Sequence, residues 1–139
     1  MTNTGSIRAQ ALENESAFMA AAGLHVTQLG ADRVEGTIDL GPQHHQPWGI
    51  VHGGVYATAI ESAASLGAAV AASEHGLVPV GVNNNTNFVR SMSGGRVKVV
   101  AVPVQQGRTQ QLWEVRVSDE DDRLVAIGQV RLQNISPRT

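Results

Sequence analysis

The longest run of apolar and small residues extends from Gly53 to Ser73 and predicts one helix of about five turns, near 30 Å long. Within this run Glu61 is the only charged residue, and alanines make the helix thin. A helix on the surface of a protein would show a wide polar face. Because this one has none, we predict that it is buried nearly all round.

Shorter patterns precede this helix. The alanine-rich residues 16–22 end at Gly23 and predict a short helix, and the polar residues 1–15 before them are expected to form a flexible, frayed tail. Two alternating runs, 24–29 and 33–40, are separated by a glycine-containing turn and predict a β-hairpin. Residues 41–50 are rich in Gly and Pro, which is typical of a loop.

Four strand-like runs follow the long helix, at 78–90, 96–106, 110–118 and 124–132. The short turns between them predict an antiparallel meander. The pattern as a whole indicates an α+β fold in which a curved antiparallel sheet wraps one central helix, as a single domain over residues 16–139.

Composition excludes several functions. The net charge of -2 gives no indication of a nucleic-acid partner. The absence of cysteine excludes disulfides and thiolate chemistry, and with no signal-peptide pattern at the N-terminus it favours a cytoplasmic protein. The long helix approaches the length of a membrane span, but its Ala, Ser and Gly content and its central Glu61 argue against a membrane partner.

Glu61 is the first candidate for chemistry, because a carboxylate on a buried helix is costly unless it is paired or used. The alternatives are a position where the helix reaches solvent and a structural ion pair with an arginine. Ser65 lies four residues later, on the same helical face. At the helix start, Gly53 exposes backbone N–H donors and the positive end of the helix dipole, which suit a carbonyl oxygen gaining negative charge. Such a carboxylate acts either as a general base on water or as a nucleophile at an acyl carbon.

Two other kinds of site have weaker support. His44, His45 and His75 suggest a metal, but no second ligand cluster stands at a recognised spacing, so no metal or other cofactor is expected. A Ser-His-Asp triad would need Ser62 or Ser65, and neither lies in a Gly-x-Ser-x-Gly elbow.

The order of elements, with a helix that opens His52-Gly53-Gly54 and carries Glu61, resembles the hotdog-fold acyl-CoA thioesterases. Within that fold it is similar to the phenylacetate-pathway and 4-hydroxybenzoyl-CoA thioesterase group. The resemblance covers roughly residues 20–135 and is specific in 46–65 and 83–90. It implies that Glu61, nine positions after the turn histidine His52, is the catalytic carboxylate.

The resemblance also implies roles for the residues around Glu61. The Gly53 N–H and the Gln46 side chain would hold the thioester carbonyl oxygen, and Ser65, where the family often has Thr, would assist the water. His52 matches a turn histidine that more often shapes the turn than transfers a proton.

The coenzyme A nucleotide needs local cations in an acidic protein. By resemblance Arg90, Arg108 and Thr109 would bind it. The asparagines at 83–85 are either polar strand-edge residues or part of this site, and Asn85 is assigned to it.

The sequence therefore predicts a homo-oligomeric acyl-CoA thioesterase acting on an aromatic or medium-chain acyl group, with a homodimer as the minimal unit and a homotetramer as the expected assembly. Trp48, Tyr56 and Phe88 are the aromatic candidates for lining the acyl pocket. In resembling enzymes the carboxylate comes from one subunit, while the glycine and glutamine come from its partner. One alternative is a hydratase or dehydratase, for which only His52 could supply the histidine. The other is a non-catalytic acyl-CoA-binding module, against which Glu61 argues.

Overall fold

A six-stranded antiparallel sheet wraps one long helix in the computed structural model, which describes residues 4–138. The helices are α1 (Thr4–Glu13), α2 (Ala17–Ala22) and α3 (Gly53–Ser73), with a 3₁₀ turn at Pro42–His44. The strands are β1 (His25–Leu29), β2 (Val34–Leu40), β3 (Val78–Phe88), β4 (Gly95–Gln106), β5 (Gln110–Ser118) and β6 (Leu124–Ile135). This confirms the predicted α+β hotdog architecture.

The core lies between α3 and the concave face of the sheet. Ile60 and Ala64 of α3 are fully buried against sheet residues such as Val99. Gly67 lies directly beneath the buried ring of Trp113, so that a Cβ at this position would overlap the indole. The small residues of α3 therefore let the helix approach the sheet more closely than larger side chains would.

The opposite side of α3 contradicts the prediction that the helix is buried nearly all round. The sheet wraps only one side of the helix, and a stripe of small residues on the other side remains half-buried in this chain. This outer stripe consists of Thr58, Ser62, Ser65 and Ala69. By length and composition α3 is also the one helix in residues 4–138 that could cross a membrane, but half of its most apolar window is buried within this chain.

The strand order is β1-β2-β4-β5-β6-β3. The β1–β2 hairpin is confirmed, and β4, β5 and β6 form a meander, but the predicted four-strand meander is wrong because β3 pairs with β6 at the far edge of the sheet. The physical reason is that α3 crosses the sheet after β2 and delivers the chain to the opposite edge. The segment 89–94 then returns along the end of the sheet, where the N–H groups of Val89 and Arg90 donate to the Val125 carbonyl at 2.8 and 3.1 Å.

The N-terminal segment also differs from the prediction. Residues 4–13, expected to belong to a frayed tail, form α1, since Ala, Gln, Leu and Glu all favour helix. None of its side chains is buried, and Arg8 Nη1 donates to the Val26 carbonyl at 3.4 Å. Helix α2 has the predicted ends, because Ser16 accepts from the Met19 N–H and Gly23 adopts a φ of 79°.

Candidate active site

Glu61 lies half-buried on α3, facing β3. Its Oε1 accepts from Asn84 Nδ2 at 3.2 Å, and the same nitrogen donates to the Ala57 carbonyl at 3.2 Å. Thr86 Oγ1 donates to Asn84 Oδ1 at 2.6 Å, which fixes the orientation of the amide. Among residues 4–138 no Lys, Arg or His forms an ion pair with Glu61. The carboxylate is therefore held in place by one neutral amide, and the structural ion pair considered as an alternative is not formed within this part of the chain.

The second carboxylate oxygen, Oε2, lies against the Cα of Gly81 on β3. A Cβ at position 81 would overlap this oxygen, so a side chain there would displace the carboxylate. Gly81 and Asn84 are the two residues that position Glu61, and the sequence did not single out either of them. Asn84 was recognisable only as one of three adjacent asparagines.

Asn85, assigned from the sequence to coenzyme A binding, lies on the face of β3 opposite Asn84, because successive side chains of a strand alternate between faces. It is exposed and does not contact Glu61. Of the three asparagines, Asn84 is the one that the structure brings to the carboxylate.

The start of α3 offers one free donor. His52 caps the helix, its Nδ1 accepting from the Gly54 N–H at 2.8 Å. This leaves the Gly53 N–H, which donates to no group within residues 4–138. The ring of Phe88 packs on the Cα of Gly53, since a Cβ there would stand only 2.7 Å from the ring. His52 therefore shapes the turn. Gly53 leaves its N–H free to bind a ligand, and its lack of a side chain allows the Phe88 ring to pack on its Cα.

Gln46 stands in the loop before α3 with its side-chain oxygen already engaged. Its Oε1 accepts from the Trp48 N–H, and its backbone N–H donates to the Ile50 carbonyl at 2.8 Å. Because the oxygen is the bonded atom, the amide nitrogen is left to donate to a ligand. A backbone N–H and a side-chain amide of this kind can together stabilise an oxyanion.

The structure does not bring the Glu61 carboxylate and the donors at Gly53 and Gln46 together in one chain. Gly53 and Glu61 are eight residues apart on the same helix, a rise of about 12 Å, which is too far for both to serve one carbonyl group. Ser65 lies one turn beyond Glu61, as predicted, but no hydrogen bond joins them. Each chain therefore carries an acidic half-site around Glu61 and, separately, a donor half-site around Gly53.

The residues assigned to the coenzyme A nucleotide are also separated. Arg90 follows β3 and binds by its N–H to Val125, near the start of β6, whereas the Arg108 carbonyl accepts from Asn134, near the end of β6. These two attachment points are nine positions apart on the strand, about 30 Å along β6. Thr109 shares the exposed turn with Arg108. Within one chain Arg90 and Arg108 therefore lie at opposite ends of the sheet.

The aromatic candidates occupy three different environments. Trp48 is 83% exposed on the loop, and Phe88 covers Gly53. Tyr56 is buried in the core, where its hydroxyl has no hydrogen-bond partner within residues 4–138, and burial raises the pKa of this phenol to about 12. Phe88 is therefore the aromatic side chain that packs on a predicted site residue, whereas Trp48 contacts Gln46 through its backbone N–H.

Two of the three histidines considered as metal ligands, His44 and His45, have side chains that contact backbone groups. His44 is buried, with its Nε2 2.9 Å from the Ala21 carbonyl oxygen, while its Nδ1 accepts from the Gly41 N–H at 3.3 Å. His45 Nε2 lies 2.7 Å from the Ser93 carbonyl oxygen. These contacts tie the loop before α3 to α2 and to the segment before β4, which positions the loop that carries Gln46.

Comparison with known proteins identifies the family of this chain. A family model described as the thioesterase superfamily matches residues 49–126, which contain His52, Gly53 and Glu61. A Mycobacterium tuberculosis protein named as an esterase is 50% identical over 87% of this chain and 88% of its own length. The proofreading thioesterase EntH of Cronobacter turicensis is 35% identical over 73% of each chain.

Solved structures agree with the fold. The structure of the Mycobacterium tuberculosis protein has a TM-score of 0.85 at 48% identity, covering 89% of this chain and 100% of that chain. A Haemophilus influenzae thioesterase has a TM-score of 0.82 at 29% identity, covering 92% of this chain and 88% of that chain. The architecture described above is shared across these proteins.

Proposed function

Because the chain belongs to the thioesterase superfamily, we propose that it hydrolyses an acyl-CoA thioester to a free acid and coenzyme A, with Glu61 as the catalytic carboxylate. The observation that carries the proposal is a half-buried carboxylate that has no cationic partner within residues 4–138. It is held by Asn84 and Gly81, in a chain that also presents the free Gly53 N–H. A relative named as a thioesterase supports the same reaction class. The resemblance to the phenylacetate-pathway and 4-hydroxybenzoyl-CoA group supports coenzyme A as the leaving group.

In the reaction, water adds to the thioester carbonyl carbon as Glu61 takes its proton, and negative charge develops on the carbonyl oxygen. The Gly53 N–H and the Gln46 amide would hold that oxygen. The C–S bond then breaks, the thiolate leaves and is protonated, and the acyl group departs as a carboxylic acid. Direct attack of Glu61 on the carbonyl carbon, through an acyl-enzyme anhydride that water then hydrolyses, gives the same products.

The active form is proposed to be a dimer about a two-fold axis at the free edge of β3. This edge strand is eleven residues long, pairs with β6 on one side only, and exposes Val80 and Val82 at 45% and 55%. A long edge strand with exposed apolar residues tends to pair with another strand. The part of the outer stripe of α3 at Thr58 and Ala69, which the N-terminal helices leave uncovered, would pack on the partner helix.

The contacts between α3 and β3 fix where such an axis places the two half-sites. The helix and the strand run in opposite directions, with Gly53 beside Phe88, and with Ala57 and Glu61 both beside Asn84. Asn84 is next to the middle of β3 and contacts both Ala57 and Glu61, and we propose that the axis passes through the strand centre near the level of Ala57. Ala57 is halfway between Gly53 and Glu61. Antiparallel pairing of the helices about this axis sets Glu61 of each protomer opposite Gly53 of its partner.

The hydrolase proposal is tested by thiol release from a panel of acyl-CoA thioesters. Glu61→Gln should lower turnover by about 10²-fold or more, because the amide can neither accept the proton nor attack, and Glu61→Asp should retain part of the activity. Glu74→Gln, which removes the exposed carboxylate at the C-terminal end of the same helix, is the matched control and should leave turnover unchanged. A Glu61→Gln enzyme within a few-fold of wild type would exclude Glu61 as the catalytic group. No thiol release by wild type would favour the binding-module alternative.

The shared site is tested by complementation between variants. Gln46→Ala and Glu61→Ala homodimers should each be weak, whereas refolding the two together produces mixed dimers with one doubly defective site and one intact site. For random pairing the activity should rise to about a quarter of wild type. Mixed dimers that are confirmed by native mass spectrometry but show no gain would mean that each site is built within one chain.

A further inference from the structure

A cavity of about 640 Å³ lies between α1, α2, β1 and the flank of α3 away from β3. Ser62 and Ser65 of α3 line it, one residue and one turn beyond Glu61. The cavity therefore begins beside Glu61, at these two serines, and extends away from β3, under the N-terminal helices. Its size is within the range of small-molecule sites, about 300–1,000 Å³.

The walls of the cavity are mostly aliphatic; besides the two serines, the polar and charged residues that line it are Arg8, Asn14, Glu15 and His25. Met19 and Leu24 lie on one side, Leu66 on another, and Leu12 of α1 on the outer side, where it is 72% exposed. No Phe, Tyr or Trp of the described chain lines the cavity, and the aromatic candidates Trp48, Tyr56 and Phe88 all lie elsewhere. An exposed Leu beside flexible Met and Leu side chains suits an adaptable apolar ligand better than a flat ring.

The volume of the cavity also favours an aliphatic chain over an aromatic ring. At about 30 Å³ for each water-sized group, the cavity corresponds to roughly twenty such groups. A benzoyl group is much smaller and would leave most of this space unfilled, and unfilled space next to a ligand forfeits van der Waals contacts. A dodecanoyl chain fills a much larger share.

We infer that this cavity binds the acyl chain of an aliphatic thioester, and that α1 and α2 form the wall that determines which chain lengths are accepted. The inference rests on the proposed thioesterase function and narrows it from an aromatic or medium-chain acyl group to an aliphatic one. The carbonyl carbon lies near Glu61, and the chain passes Ser65 towards Leu66 and Leu12.

The test compares variants that carry a tryptophan at a position lining the cavity with variants that carry it at a nearby position outside the cavity. Ala11→Trp fills the cavity from α1, and Ala9→Trp on the same helix is its matched control, since Ala9 does not line the cavity. Ala20→Trp and Ala17→Trp form a second pair on α2, which keeps the test independent of α1 folding. Each protein is assayed for kcat/KM on butanoyl-CoA, dodecanoyl-CoA and benzoyl-CoA, and its mass is measured by gel filtration.

Wild type should prefer dodecanoyl-CoA to benzoyl-CoA. Ala11→Trp and Ala20→Trp should each lower the ratio of kcat/KM for dodecanoyl-CoA over butanoyl-CoA by about tenfold or more, while the two controls keep the wild-type ratio. An unchanged ratio in both cavity variants would overturn the inference, as would a wild-type preference for benzoyl-CoA. A changed oligomeric state in the cavity variants alone would assign the cavity to a second copy of the chain and also overturn it. Failure of the proposed function is distinguishable, because wild type would then hydrolyse none of the three thioesters.

Discussion

Replacing Gly81 with alanine should inactivate the protein without unfolding it. The new Cβ would overlap Glu61 Oε2, and the carboxylate would have to retreat by about 1 Å to reach ordinary contact, a displacement that can cost about 10²-fold in rate. The fold should tolerate the change, because Gly81 has no positive φ and the atom that must move is the end of a flexible side chain. Alanine also restricts the unfolded chain, which stabilises by about 0.4–1 kcal/mol.

The assay combines kcat/KM for a good thioester with the melting temperature. Gly94→Ala is the matched control, because a Cβ there meets only the Leu40 carbonyl, at an ordinary 3.6 Å. We expect a melting temperature equal to or slightly above that of wild type for Gly81→Ala, and a loss of activity that Gly94→Ala does not show.

A double-mutant cycle separates displacement of the carboxylate from any other effect of the alanine. Glu61→Asp withdraws the carboxylate by one methylene, so Gly81→Ala should cost far less in that background than in wild type. Strictly additive losses would refute the argument that the Cβ acts through the carboxylate. Full activity of Gly81→Ala would refute the placement of Glu61 at the reacting carbon.

Two further predictions concern binding and stability. Arg90→Ala and Arg108→Ala should raise KM for an acyl-CoA more than they lower kcat, with no such effect on a pantetheine thioester that lacks the nucleotide; an equal penalty on both substrates would exclude phosphate binding. Asp119 is buried in the β5–β6 turn, where the N–H of Arg123 is the main cause of the lowered pKa of its carboxyl. Because the pKa is lowered in the folded state, the ionised carboxylate stabilises the fold above the ordinary Asp range and loses this effect as pH falls through the lowered pKa. Asp119→Asn should therefore melt below wild type at neutral pH, with the difference shrinking on acidification; a difference independent of pH would show that the charge is not responsible.

The elements that could be predicted from the sequence are those whose signal is local. The bounds Gly53–Ser73 of α3 follow from an apolar run with a single charge that begins after a capping histidine, and those of β5 follow from clean alternation between two turns. The position of β3 could not be predicted in this way. Short turns indicate which strands are close along the chain. The pairing of β3 with β6 depends instead on the edge of the sheet at which the chain emerges from α3 after crossing it.

The same distinction applies to the site. Glu61 and Gly53 could be predicted because a lone charge and a glycine at a helix start are visible in the sequence. Asn84 could not be chosen over Asn85, because the register of β3 shifts between Gly81 and Asn83. A shift of one residue exchanges the faces of a strand, so alternation counted from Val78 assigns these asparagines to the wrong sides. Gly81 contributes to the site only because its missing side chain leaves space for the Glu61 carboxylate, and no sequence pattern predicts such a contact.

The composition of α3 connects the fold to the proposed assembly. On the buried face, the absence of a side chain at Gly67 admits Trp113, and the sheet can close around the helix. On the outer stripe, Thr58 and Ala69 leave a surface on which a second helix can pack closely. Between the two faces, Glu61 is held by the edge strand on which the dimer is proposed to form. Since Glu61 and Gly53 are about 12 Å apart on one rigid helix, no local rearrangement of a single chain can bring them to one carbonyl group. If both act on the thioester, the reaction itself requires two chains to associate, in addition to the exposed edge strand and outer stripe that favour association.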